Sequence, residues 1–236
     1  SMKCRNECDM QKFCSQNIRR AKTDRIDSIN IAMFGICYWD ELNQVMPPED
    51  TYRELKFLAR QYYQSTSMLI KAKINFGVLC DQIMPSVQNI IHEYRGTQKI
   101  TGIVKRYLHF DNILKMGKNR FKTDYCKWAQ KQGYRNCEQT AERLYAAAQN
   151  GIPVLPNSLS TTIVITEAIR VLHEMEASRN TILAQMQALA KTLPEYQVVR
   201  GMSCIGDVLA PKLIAEIGDI RKFRNKHSLI AYAGID

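Results

Sequence analysis

The sequence contains no run of about 18 apolar residues, so no transmembrane span is expected. Its start, Ser1-Met2-Lys3-Cys4-Arg5, lacks the apolar core of a signal peptide, and Ser1 ahead of Met2 reads as a tag remnant. No Cys-x-x-Cys pair occurs among the eight cysteines. The four histidines, His92, His109, His173 and His227, stand at zinc-ligand spacing from none of them, which argues against a zinc site. Reduced thiols in a cytoplasmic protein are therefore expected. No stretch shows apolar/polar alternation over the length of a strand, so the fold class is expected to be mainly α. Acids are also scarce, at 23 against 33 Lys and Arg in 236 residues, a net charge of +10. Hydrophobic residues make up 45%, which excludes a mainly disordered chain and leaves room for one large domain or two small ones.

The positive charge is concentrated. Residues 1–47 and 157–236 each carry a net charge of +1, and residues 48–156 carry +8. Within the last, residues 95–135 hold eleven cations (Arg95, Lys99, Lys105, Arg106, Lys115, Lys118, Arg120, Lys122, Lys127, Lys131 and Arg135) against Asp111 and Asp124 alone. A cluster of this kind attracts a polyanion, because each phosphate it neutralises releases condensed counterions. Tyr107, Phe110, Phe121, Tyr125, Trp128 and Tyr134 interleave with it. Such rings either stack on bases or form the inner face of short helices whose lysines face water. Nucleic acid is the expected partner, with an acidic protein as the alternative.

Helical periodicity organises most of the chain. A short helix is expected over 8–17, and a second from Thr23, a capping residue, to Tyr38, with Ile26, Ile29, Met33 and Ile36 on one face. Pro48 with Glu49 and Asp50 opens a third helix that runs to Ile83. Short helices punctuated by Gly96, Gly102, Gly117, Gly133 and Gly151 fill residues 86–156. Asn157 or Ser158 then caps a long helix with the seam Ile165, Ala168, Leu172, Met175, Arg179, Ile182, Met186, Leu189 and Leu193. Its alternating spacings of three and four are those of a coiled coil, with Arg179 the one misfit. The partner is either the 48–83 helix folded back or the same helix of a second subunit. Beyond Pro194 two short helices are expected, over 207–217 and 226–233, with Pro211 tolerable in a first turn.

Two constellations carry candidate chemistry. Asp24 and Asp27, three apart on a helix, place two carboxylates on one face, where they either hold Mg²⁺ or complement the helix dipole. Residues 200–206, Arg-Gly-Met-Ser-Cys-Ile-Gly, form a hairpin opening into a helix; its backbone N–H groups either cradle a phosphate or belong to a plain interhelical turn.

The segment 22–39, KTDRIDSINIAMFGICYW, resembles the end of the RuvC-like domain of DEDD transposases, the Piv-type insertion-sequence recombinases. The segment 205–236, IGDVLAPKLIAEIGDIRKFRNKHSLIAYAGID, resembles the start of their C-terminal transposase domain. The resemblance covers about 20–236. It implies a mainly α chain in which 1–46 is the remnant of an RNase-H-like catalytic domain ending in its last helix. Residues 47–194 would form a basic coiled-coil arm and 195–236 a helix-hairpin-helix-like part of the transposase domain. It implies Mg²⁺-dependent phosphoryl transfer on DNA, with Asp24 and Asp27 matching the last two of four metal-binding acids. It implies nucleic-acid contacts by Lys22, Arg25, Lys115, Lys118, Arg120, Lys122, Lys127, Lys131, Gly201, Ser203 and Gly206, homo-oligomers, and a structured guide RNA as a further partner. The other two acids and the family's serine nucleophile fall outside this chain, Ser203 not matching that motif, so the chain alone is expected to bind and oligomerise without turnover. The hairpin reads Ser203-Cys204-Ile205-Gly206 where the family has Pro-Gly-x-Gly, with Cys in place of a Gly. The alternatives are a non-catalytic helical protein that binds through its coiled coil, and a module selective for branched DNA.

Overall fold

In the computed structural model, residues 2–4, 24–38, 43–45, 50–91 and 97–234 are described. The helix expected over 8–17 and the Thr23 cap lie outside them. The described chain is helical apart from strands β1 (Met2–Cys4) and β2 (Asn43–Val45), paired antiparallel with Met2 opposite Val45. The helices are α1 (Asp24–Cys37), α2 (Asp50–Ile83), α3 (Val87–Ile90), α4 (Gln98–Tyr107), α5 (Phe110–Met116), α6 (Lys118–Lys131), α7 (Cys137–Asn150), α8 (Leu159–Ala190), α9 (Tyr196–Gly201), α10 (Leu209–Ile217) and α11 (Lys226–Tyr232). Among the described residues no helix is long and apolar enough to cross a membrane. The chain divides into two compact units, one of residues 55–212 and one of residues 1–54 with 213–236.

In the 55–212 unit, α2 and α8 run antiparallel. Lys73 Nζ lies 3.5 Å from Glu176 Oε1. Ala72 and Asn75 share a groove with Ala168 and Val171, and Leu79 and Ile83 share one with Ser160 and Ile165, so α8 numbers fall as α2 numbers rise. The folded-back partner is thus the one present within the chain. The buried side of α2 is Leu55, Ala59, Tyr62, Leu69, Phe76, Cys80 and Ile83, in alternating steps of three and four once 66 and 73 are counted. On α8, Ile165, Leu172 and Met186 are buried as the periodicity requires, but Ile169 and Ala190 are buried rather than Ala168 and Leu189. Both members of each neighbouring pair are apolar, and only the position of α2 chooses between them. Arg179, the misfit, donates from Nη2 to Asn180 at 2.8 Å while its Nε is buried without a partner.

Helices α3–α7 form a module at one end of this pair. Its core contains Ile103, Val104, Phe110, Ile113, Phe121, Tyr125 and Leu144, all fully buried. Burying one such side chain stabilises by roughly 1.5–3 kcal/mol. Gly117 and Gly133 adopt φ of 77° and 76° and end α5 and α6, as helix-terminating glycines do. Gly102, expected as a break, lies inside α4 instead. A Cβ there would come within 2.8 Å of the Trp128 ring, so the residue is small to admit the indole. The segment between α7 and α8 is pinned from two sides. The amides of Val154 and Leu155 donate to Gln82 O at 2.8 and 3.1 Å. Buried His109 accepts from the Asp111 amide at Nδ1, capping α5, and its Nε2 lies 3.0 Å from Leu155 O. Ser158, of the two cap candidates, accepts from the Thr161 amide at 3.2 Å, and Asn157 donates to Asn112 at 2.7 Å.

In the other unit, α1 forms as expected, but its apolar face is uncovered. Ile29, Met33 and Ile36 are all more than half exposed, and among its described side chains only Phe34 is buried, its ring 4.9 Å from Tyr38. Lys222 Nζ lies over the Phe223 and Tyr232 rings at 4.9 and 4.7 Å, fastening α11 to the turn before it.

Candidate nucleic-acid interface

Helix α6 has two faces. Phe121, Tyr125 and Ala129, four apart, face the core. Asn119, Arg120, Thr123, Lys127 and Lys131 recur at three- and four-residue steps on the opposite face, and all are exposed. With Asp124 the first four line an open polar cleft of about 420 Å³. Among the described residues, Lys115, Lys118, Arg120, Lys127 and Lys131 form no salt bridge. The sequence singled out the cations; Asn119 and Thr123 were missed, although their spacing relative to Arg120 and Lys127 is the signal that places them.

The rings of this segment turn inward. Tyr107, Phe110, Phe121 and Tyr125 are buried, and Trp128 and Tyr134 are half-buried against each other with centroids 5.6 Å apart. Of the two readings of these rings, the structure supports the core one.

One of the two acids is neutralised from within. Arg106 on α4 donates to Asp124 on α6 from Nε at 2.9 Å and Nη2 at 2.6 Å, and the Tyr107 hydroxyl donates to the same carboxylate at 2.8 Å. The Arg106 hydrogen bonds hold the Asp124 carboxyl below the usual carboxylate range, and burial with the same carboxylate pushes the Tyr107 phenol up. Lys122, among the predicted contacts, is turned toward α7. Its Nζ lies 3.0 Å from Glu142 and 3.3 Å from Glu138, whose hydrogen bonds raise its pKa. Its charge is already shared between two carboxylates, whereas Arg120 and Lys127 form no salt bridge among the described residues.

The other predicted residues lie apart along the chain. Asp24 opens α1 and Asp27 follows one turn on, so the helix backbone carries both on one side; their side chains are outside the described set, as is Lys22. Arg25 is exposed. Among the described residues no cluster of three or more His, Cys, Asp or Glu is placed to hold a metal ion.

The hairpin joins α9 to α10. Arg200 Nε donates to Asp207 Oδ1 at 2.5 Å across the turn, the Tyr196 hydroxyl reaches that oxygen at 3.3 Å, and Gln187 holds the Asp207 carbonyl at 3.0 Å. The guanidinium keeps the Asp207 carboxyl below its usual range. Gly201, Ser203 and Gly206 are exposed, and a Cβ on either glycine would meet nothing within 4 Å. The left-handed residue of the turn is Cys204, at φ 67°, the position where the sequence has Cys in place of the family's Gly.

Residues 2–85 match a family model of IS110-type DEDD transposases, and residues 196–236 match the transposase IS116/IS110/IS902 family. The first match starts at residue 2, earlier than the motif at Lys22 had indicated. The chain is 22% identical over 215 residues to the insertion element IS110 uncharacterized 43.6 kDa protein of Streptomyces coelicolor, covering 91% of this chain. It spans about half, 52%, of the length of that relative. No solved structure matches. With transposase sequence at both ends and an insertion-element protein aligned across nearly all of it, the chain belongs to the IS110-type insertion-sequence transposases.

Proposed function

We propose that this chain is the gripping and assembly portion of an insertion-sequence transposase whose whole protein joins DNA by Mg²⁺-dependent phosphoryl transfer. The observation that carries the reading is the outer face of α6, where Arg120, Lys127 and Lys131 form no salt bridge among the described residues, in a chain with transposase sequence at both ends. Such a face binds phosphate backbone. With its rings turned inward it offers cations without a stacking platform, which favours base-paired DNA or a structured guide RNA over an unpaired strand.

Asp24 and Asp27 are the residues that would hold the metal. Their backbone placement fits, because Mg²⁺ usually takes one or two carboxylates and completes its octahedron with water and phosphate oxygens. Bound there, the ion would supply charge stabilisation for a transferring phosphoryl group. The exposed apolar side of α1 suits the last helix of a RuvC-like domain, whose sheet would cover it. The 202–208 turn would add helix-hairpin-helix-like contacts to phosphate through its backbone. The domain division is read at residues 46 and 194. The groove along α2 and α8, lined by Ala72, Leu79, Val164, Ala168 and Val171, is where subunits would associate as a homo-oligomer.

The test is binding to duplex DNA, branched DNA and structured RNA over a salt series. A steep fall of affinity with salt supports the reading, and the preferred ligand separates RNA guidance from junction binding. Weak, salt-independent binding to all three overturns it. The same apolar groove would then favour the second reading, a non-catalytic protein that associates through its long helices.

A further inference from the structure

The outer side of α6 divides into two rows. Each residue advances about 100° around an α-helix. Asn119, Thr123 and Gln130 therefore fall within about 40° of one another, and all three are exposed and uncharged. Arg120, Lys127 and Lys131, also exposed, fill a second band about 40° wide, centred about 80° further round. Buried Phe121, Tyr125 and Ala129 lie opposite the line between the two rows. Lys122, on the other side of the uncharged row, is turned toward Glu138 and Glu142. Among the described residues the side-chain amides of Asn119 and Gln130 have no hydrogen-bond partner. Thr123 Oγ1 donates to Asn119 O at 3.0 Å, which leaves its lone pairs and methyl group for a ligand. Both rows sit on a helix fixed to α4 through Arg106 and Asp124, not on a loop.

We propose that α6 is a sequence-reading helix for the major groove of duplex DNA, with Asn119, Thr123 and Gln130 on base edges and Arg120, Lys127 and Lys131 on the phosphates beside them. The division of labour follows from the chemistry of the two rows. Cations hold phosphate oxygens and set the register of a helix on the duplex, but carry no sequence information. An Asn or Gln amide pairs with both N6 and N7 of adenine, and a Thr offers its hydroxyl to a base edge or its methyl to that of thymine. Asn119 and Gln130 thus each select adenine. The groove is that of DNA, because a B-form major groove about 12 Å wide admits a helix, whereas the A-form groove of paired RNA is too narrow for side chains to read. The inference rests on the reading of α6 as a nucleic-acid interface and adds to it the duplex, the groove and the residues that discriminate.

The experiment is selection of DNA duplexes with a randomised centre on the full chain, sequencing of the bound fraction, and fluorescence anisotropy with a selected duplex, the unselected pool and paired RNA of the selected sequence, all at one salt concentration. The expected result is enrichment of an adenine-containing motif. Asn119→Ala should weaken binding to the selected duplex roughly 5- to 150-fold, the discrimination that one bidentate pair provides, and leave binding to the unselected pool unchanged. Lys127→Gln should weaken binding to both. Salt-dependent binding without enrichment overturns the proposal and leaves the α6 interface standing, while absence of salt-dependent binding overturns both. A motif still selected by the Asn119→Ala, Gln130→Ala double variant, or tighter binding to the paired RNA, also overturns the proposal. All of these side chains are exposed, and unchanged binding to the unselected pool shows that a variant has kept its fold.

Discussion

Arg106 and Asp124, eighteen residues apart, meet in a two-pronged hydrogen bond at 2.9 and 2.6 Å that ties α4 to α6 and removes one of the two acids from the most basic stretch of the chain. The same carboxylate receives the Tyr107 hydroxyl. The link is structural, and its electrostatic consequence is that α6 presents Arg120 and Lys127 beside an acid whose charge is already matched.

The Asp124 cluster predicts a pH dependence of stability. A carboxyl held below its unfolded value contributes stability that is fully present above that value, about 3.9, and is lost as the pH falls through the lower folded value. Asp124→Asn should lower stability at pH 7 by about 1 kcal/mol, since the pair is partly exposed and screened. The variant and the parent should converge in urea melts as the pH is taken below that range. An equal deficit at every pH would show that the carboxylate charge contributes nothing.

The outer face of α6 makes a prediction that separates cations by partner. Changing Arg120, Lys127 and Lys131 to Gln should make the slope of log affinity against log salt shallower, by roughly 0.9 for each phosphate these side chains had neutralised. Lys122→Gln should leave the slope as it is, because Glu138 and Glu142 already neutralise that side chain. Binding isotherms at four or five salt concentrations measure both. A slope that responds to Lys122 as strongly as to Lys127 would place the interface on the α7 side instead.

Cys204 offers a test of the hairpin. At φ 67° an L-residue with a side chain is strained, and glycine is not. Cys204→Gly relieves that strain but gives the unfolded chain more freedom, so the net gain is limited to about 1 kcal/mol. That corresponds to a rise in Tm of roughly 2–4 °C for a chain of this size. An unchanged or lowered Tm, read by circular dichroism, would mean that the turn does not hold this conformation in solution.

At Gly102 two effects oppose each other. Alanine in mid-helix is favoured over glycine by about 1 kcal/mol. The new Cβ would fall 2.8 Å from a carbon of the Trp128 ring, which is hemmed in by Tyr125 and Tyr134 with centroids at 5.7 and 5.6 Å. Overpacking of this kind typically costs about 1–3 kcal/mol, so the clash wins and Gly102→Ala destabilises. Denaturant melts should show the loss, and tryptophan fluorescence should report the displaced indole.

Much of the architecture was legible because helices announce themselves locally. Pro48, Asp50 and Ser158 mark starts, and periodicity over thirty residues marks the bodies of α2 and α8 to within a few residues. The basic stretch was legible from composition alone, whereas its rings fitted two readings until the structure showed them buried. Membership of the transposase family was also carried by the linear sequence, because its motifs are contiguous.

Other features depended on which surfaces meet. Ala168 and Ile169, or Leu189 and Ala190, fit the seam equally well until α2 is laid against α8. Gly102 reads as a break until Trp128 is seen to need its space. Lys122 and Lys127 are five residues apart and identical in type, yet one faces the glutamates of α7 and the other faces water. The sequence by itself determined the helices, the charge and the family, since these follow from near neighbours along the chain. Which lysines pair with the glutamates of α7 and which face of α8 is covered were decided by the tertiary structure, because each depends on a partner that the linear order does not place beside it.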